Sequence, residues 1–202
     1  MKVLLINGSP RREGNTYTAL CEVARQLEVQ GIESEIVWVG TRPVRGCTAC
    51  GKCKQQGDNR CIFDDDVTNE VIGKMEQCDA IIVGSPVYWG QPSGQLLCLQ
   101  QRMLYAGGAM FKDKPAAAVV SARRAGTTTA LDEIEKYFTI SEMPVVSSSY
   151  WTMVHGAKPE DVEKDREGLQ VMENLARNMA WMLRCIEAGR NAGILPPENT
   201  YT

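Results

Sequence analysis

The chain has 202 residues, 25 Asp and Glu against 22 Lys and Arg, one His, and a formal charge of −3 at pH 7. That length suits one domain with a sizeable core, and the acidic balance argues against nucleic acid, which asks for a basic face. No apolar stretch is long enough to cross a membrane.

The first residues read as a strand rather than a signal peptide, so the cytoplasm is the expected compartment. There, the eight cysteines are expected as core thiols, metal ligands or redox groups rather than disulfides.

A buried parallel strand is predicted over Lys2–Asn7 from the apolar run Val3-Leu4-Leu5-Ile6. The loop behind it, Gly8-Ser9-Pro10-Arg11-Arg12-Glu13-Gly14-Asn15-Thr16, leads into a helix predicted over Thr16–Gln30. Ala19, Leu20, Val23, Ala24 and Leu27 keep its 3.6-residue period, and Gly31 ends it. The first N–H groups of a helix lack partners and carry the positive end of its dipole. With the hydroxyls of Ser9 and Thr16, the amide of Asn15 and a guanidinium from Arg11 or Arg12, they form an anion cradle. A Walker loop is excluded: five residues separate Gly8 from Gly14, and Asn15 stands where its Lys would be. The three glycines of a dinucleotide fingerprint are also missing. The donors suit a single monophosphate.

A second strand is predicted over Glu33–Val39. Then Cys47, Cys50, Cys53 and Cys61 form C-x2-C-x2-C-x7-C, with Gly46, Gly51 and Gly57 giving the backbone room to wrap a small object. Four thiolates so spaced suit a cubane iron–sulfur cluster better than zinc, which usually takes two separated pairs. An empty site of reduced thiols stays open. Cys21, Cys78, Cys98 and Cys185 are expected to be structural.

Further helices are predicted over Asp66–Gln77, Ser93–Tyr105, Thr127–Phe138 and Pro159–Glu187, and strands over Ala80–Gly84, Ala116–Ser121 and Val145–Ser149, the last opened by Pro144. The tail, residues 196–202, is expected to be poorly ordered. Strands alternating with helices imply an α/β fold, a doubly wound parallel sheet, with ligands beyond the carboxyl ends of the strands. The loops after strands one, three and four should therefore converge. The third offers Pro86, Val87, Tyr88, Trp89 and Gly90, with aromatics suited to a flat ring and backbone amides for its polar rim. The fourth offers Ser121, Arg123, Arg124 and Gly126. Together the three loops describe a flavin mononucleotide site.

On these residues the chain resembles the flavodoxin-like NAD(P)H-dependent FMN reductases, and specifically their iron–sulfur flavoprotein branch. The resemblance implies a five-stranded sheet in the order 2-1-3-4-5, in one domain over residues 1–202 with a cysteine-rich insertion at about 43–64. It places Ser9, Pro10, Arg11, Gly14, Asn15 and Thr16 at the FMN phosphate. It sets Pro86 to Gly90 against the isoalloxazine and the Ser121–Gly126 loop at its other edge. The compact four-cysteine motif falls within that branch's pattern for a 4Fe-4S cluster. Tyr150 to Gly156 also resembles the group, which often has Asn where Thr152 stands.

The implied reaction is hydride transfer from NAD(P)H to FMN, with electrons passed to a quinone, a flavin or a protein acceptor. The implied assembly is a homo-oligomer, a dimer or tetramer. No catalytic side chain is expected, and His155 reads as structural. Two alternatives remain open from the residues: a pure electron carrier, and a non-redox phosphometabolite-binding domain with a zinc-stabilised loop.

Overall fold

The computed structural model describes residues 1–200. Its strands are β1 (Lys2–Asn7), β2 (Glu33–Trp38), β3 (Ala80–Pro86), β4 (Ala116–Ala122) and β5 (Met153–His155). Its helices are α1 (Asn15–Val29), α2 (Lys52–Gln56), α3 (Thr68–Met75), α4 (Gly94–Phe111), α5 (Thr127–Ile140), α6 (Pro159–Val162) and α7 (Arg166–Asn191). The strands form one sheet in the order β2-β1-β3-β4-β5, every pairing parallel. This is the doubly wound order that the resemblance implies.

Alternation along β1 shows how the sheet is covered. Val3 and Leu5 pack with α1 and α7 on one face. Leu4 and Ile6 pack with α3, α4 and α5 on the other. All four are fully buried, as a strand covered on both faces requires. Order reverses between β1 and β3, so a switch point opens where both strands end.

The structure corrects the expected fifth strand. Val145 keeps only an isolated bridge to Ala116, and the ladder resumes at β5, where Met153 pairs with Val120. The serines between have other partners. The Ser148 hydroxyl donates to the Val171 carbonyl at 2.6 Å, and Asn174 and Asn178 donate to the Ser149 hydroxyl and the Ser147 carbonyl. α7 thus holds this segment through the two serine hydroxyls and the Ser147 carbonyl.

The predicted last helix is two helices. Asp165 breaks it, capping α7 by accepting from Gly168 N at 3.0 Å and tying back to His155 N at 2.7 Å. α2 was not foreseen, α3 is shorter than expected, and α4 and α5 run further. Residues 196–200 form no regular structure and are exposed, while residues 201 and 202 of the expected tail lie outside the described residues. Among the described residues no helix is long and apolar enough to cross a membrane.

Candidate functional site

The switch point is tight because two glycines face each other. Gly8 N donates to the Gly84 carbonyl at 2.9 Å. A Cβ on Gly8 would stand 2.8 Å from that same oxygen, and one on Gly84 would stand 2.9 Å from Thr16 Cγ2. Ser93 completes the joint, donating from its hydroxyl to the Gly8 carbonyl at 2.7 Å. Val87 N donates to the Ser121 carbonyl at 2.9 Å, joining the ends of β3 and β4. Asn15 Nδ2 donates to the Gly156 carbonyl at 2.6 Å, bringing in the loop after β5. The loops after β1, β3 and β4 therefore meet at the carboxyl end of the sheet.

The loop after β1 is tied by its own hydrogen bonds. Asn7 Oδ1 accepts from Ser9 N, and Asn7 Nδ2 donates to the Arg12 carbonyl. Ser9 Oγ accepts from Arg11 N at 3.1 Å. Trp38 donates its indole N–H to the Ser9 carbonyl at 2.8 Å, and the Arg12 guanidinium lies 5.8 Å above the Trp38 ring. The two arginines are thus unequal: Arg12 is stacked on Trp38, whereas Arg11 is exposed and bonds to Ser9 Oγ only through its backbone N–H.

Gly14 is the N-cap of α1, with no side-chain cap and no acidic residue in the first turn. The positive helix end therefore faces the loop unneutralised. Thr16 is buried, and its hydroxyl pairs with that of Ser121 at 2.9 Å. These features fit a phosphate group at this helix end.

After β3, Tyr88 and Gln91 exchange both backbone hydrogen bonds, at 2.8 and 2.9 Å. Trp89 and Gly90 make the turn with φ of 54° and 76°, the two-residue hairpin geometry that favours Asn-Gly. A bulky residue at positive φ is strained, and such strain gathers at ligand sites. Trp89 stands fully exposed and Tyr88 is 47% exposed. Gly126, at φ 89°, packs against Gly90: a Cβ there would meet Gly90 Cα at 2.8 Å. Arg123 and Arg124 are both exposed beside it.

The four clustered cysteines line one cavity beneath α4, with Phe63, Arg102 and Tyr105. Left-handed Gly51 and Gly57 bracket the short α2, which turns Cys53 inward, while Cys47 and Cys50 stay exposed. A backbone hydrogen bond from Lys52 leads the effects that hold the Cys50 thiol below its usual range. Cys61 is clamped by Asn69, which accepts from its N–H at 2.9 Å and donates to its carbonyl at 2.8 Å.

Arg102 Nε donates to Cys61 Sγ at 3.3 Å, and its Nη1 pairs with Asp66. Burial pushes the Asp66 carboxyl up, but hydrogen bonding from Thr68 and the Arg102 guanidinium outweigh it and hold the group below the usual carboxylate range. Among the described residues no three His, Cys, Asp or Glu side chains stand together in metal-binding geometry. The donor set itself, four thiols around one cavity, fits an iron–sulfur cluster.

Sequence reasoning missed Asn7, Trp38, Asn69, Asp66 and Arg102. The signal available for Trp38 and Asn7 was their place at strand ends beside the cradle. Arg102 announced itself only as a charge among the apolar residues of α4.

The family model described as NADPH-dependent FMN reductase matches residues 1–158. An iron–sulfur flavoprotein of Methanocaldococcus jannaschii is 35% identical over 195 residues, covering 93% of this chain and 100% of that protein. An iron–sulfur flavoprotein of Methanosarcina thermophila is 30% identical over 195 residues, covering 95% and 100%. A solved flavodoxin from the domain Archaea is 14% identical and superposes with a TM-score of 0.62, over 91% of this chain and 99% of that one. That likeness shows the flavodoxin-like fold alone. With the family model spanning the switch point and all three loops, the chain belongs to the NADPH-dependent FMN reductase family, in its iron–sulfur flavoprotein branch, and is an FMN-dependent oxidoreductase.

Proposed function

We propose that this oxidoreductase takes hydride from NAD(P)H through FMN and delivers electrons to a quinone, a flavin or a protein acceptor. Cys47, Cys50, Cys53 and Cys61 would hold a four-iron cluster, which would supply an exit for single electrons. When bound, FMN supplies two-electron chemistry with release singly or in pairs, and the cluster supplies one-electron steps.

The observation that carries the reading is the uncapped N-terminus of α1, placed where the loops after β1, β3 and β4 meet. Ser9, Pro10, Arg11, Gly14, Asn15 and Thr16 frame the phosphate there. Arg11 contributes charge, and the helix end contributes N–H groups. Pro86, Val87 and Gly90 present backbone to the ring rim, and Tyr88 and Trp89 present aromatic surface. Ser121 and Gly126 shape the opposite edge, with Arg123 or Arg124 supplying positive charge. The chain's own groups bind and orient, and none is needed as nucleophile or proton donor.

The test is a visible spectrum of protein purified without oxygen, with iron and zinc assayed on the same sample. Flavin bands over a broad iron–sulfur shoulder, bleached by NAD(P)H, are the expected result. Flavin without iron would remove the cluster and keep the FMN reductase. No flavin, and none retained after FMN is added, would overturn the reading.

A further inference from the structure

Arg102 heads the fully buried side chains by volume. A guanidinium is almost never buried without partners, and this one is held on every side. Its Nη1 pairs with Asp66, the two side chains being 1% and 2% exposed. Its Nη2 donates to the Phe63 carbonyl at 2.8 Å, and Nη1 also reaches the Arg45 carbonyl at 3.4 Å. That leaves Nε, which donates to Cys61 Sγ at 3.3 Å. A buried ion pair is weak support for a fold, since apolar residues of similar volume often serve as well. What distinguishes this pair is its place: Arg102 lines the cavity that carries all four clustered cysteines.

We propose that Arg102 is the positioning residue of the cysteine site, fixing the Cys61 sulfur as a ligand and raising the reduction potential of the cluster held there. The proposal rests on the cluster reading above. Reduction adds one electron to the cluster and makes it more negative by one charge. An N–H···S hydrogen bond from a buried cation favours that more negative form. Asp66 tempers the charge but takes Nη1, so the Nε–H stays directed at sulfur.

The experiment uses anaerobically reconstituted holoprotein: wild type, Arg102→Lys, and the double variant Arg102→Gln with Asp66→Asn. The double variant removes both charges together and leaves neither buried alone. Iron and FMN content are assayed, and the cluster is titrated against potential by electron paramagnetic resonance. In the double variant the reduced-to-oxidised ratio at fixed potential is expected to fall about tenfold, about 59 mV for a one-electron couple. Arg102→Lys, which keeps the charge and loses the Nε–H, is expected to show a smaller fall.

Loss of iron with FMN and fold retained also supports positioning. Variants that keep the cluster at an unchanged potential would overturn the proposal and leave the cluster reading intact. Loss of fold and FMN in both variants would mark Arg102 as core support alone and overturn it too. A wild-type protein that takes up no iron would overturn the cluster reading itself, and the proposal with it.

Discussion

The hydroxyls of Thr16 and Ser121 lie 2.9 Å apart across 105 residues of chain, and that contact pins the first turn of α1 to the end of β4. Both residues are buried, so neither hydroxyl has water as a substitute. Thr16→Val keeps the shape and orphans the Ser121 hydroxyl. It is expected to lower stability by about 1–3 kcal/mol and to weaken FMN retention, because the anion-facing helix end loses its anchor. Urea unfolding with and without added FMN checks both effects.

Arg11 and Arg12 are adjacent but differently engaged. Arg12 rests on Trp38 at 5.8 Å, whereas the Arg11 N–H bonds to Ser9 Oγ and its side chain is exposed. Arg11→Ala is expected to weaken FMN binding by about 1.5–3 kcal/mol, roughly 10- to 150-fold in Kd. Arg12→Ala is expected to cost less, acting only through Trp38. Fluorescence titration of apoprotein with FMN separates the two, and equal affinities for wild type and Arg11→Ala would sink the assignment.

Gly126 holds a left-handed backbone at φ 89° with Gly90 Cα 2.8 Å from where its Cβ would be. Alanine there meets backbone, which cannot step aside as a flexible side chain can. Gly126→Ala is expected to lose about 1–3 kcal/mol through strain and to shift the Trp89 turn packed against it. A lowered Tm with altered Trp fluorescence is the expected signature.

Gln100 is fully buried in α4, and neither its Nε2 nor its Oε1 has a partner within the protein. A buried amide left unpaired costs about 1–3 kcal/mol, so removing it should help. Gln100→Met, close in volume, is expected to raise stability by an amount of that order. Guanidinium unfolding of the two proteins decides it, and a destabilised variant would reveal a partner for the amide.

Glu35 receives hydrogen bonds from Lys2, at 2.8 Å, and from Lys74. The Lys2 bond leads, and the Lys74 bond follows it, in holding the carboxyl below its ordinary value of 4.5. A carboxyl whose folded pKa is depressed stabilises the fold fully above the unfolded value, and that contribution is lost as pH falls through the folded value. Wild type should therefore exceed Glu35→Gln in stability near neutral pH, with the gap closing below about pH 4. Chemical unfolding across pH 3–7 gives the test, and a gap independent of pH would refute the linkage.

Much of the fold is legible locally. The apolar run at Val3–Ile6 reads as a strand covered on both faces, and Gly31, with φ of 71°, stops α1 as its sequence suggests. The fifth strand was not legible, because Val145–Ser149 competes for two partners. Its serines bond to α7, which approaches from residues far along the chain. The same holds in the cysteine loop. The spacing names four ligand candidates, but nothing local says that Asn69 would clamp Cys61 or that Arg102 would be buried.

By itself the sequence determined the doubly wound parallel architecture, the polar loop leading into α1, and the compact cysteine motif. Each depends on apolar period, helix termini or short spacing, interactions made within a few residues. Only the tertiary structure decided that Arg12 stacks on Trp38, that Thr16 meets Ser121, and that Arg102 points its Nε–H at Cys61. Those contacts join side chains 26 to 105 positions apart, and only packing of the sheet and its helices brings such residues together.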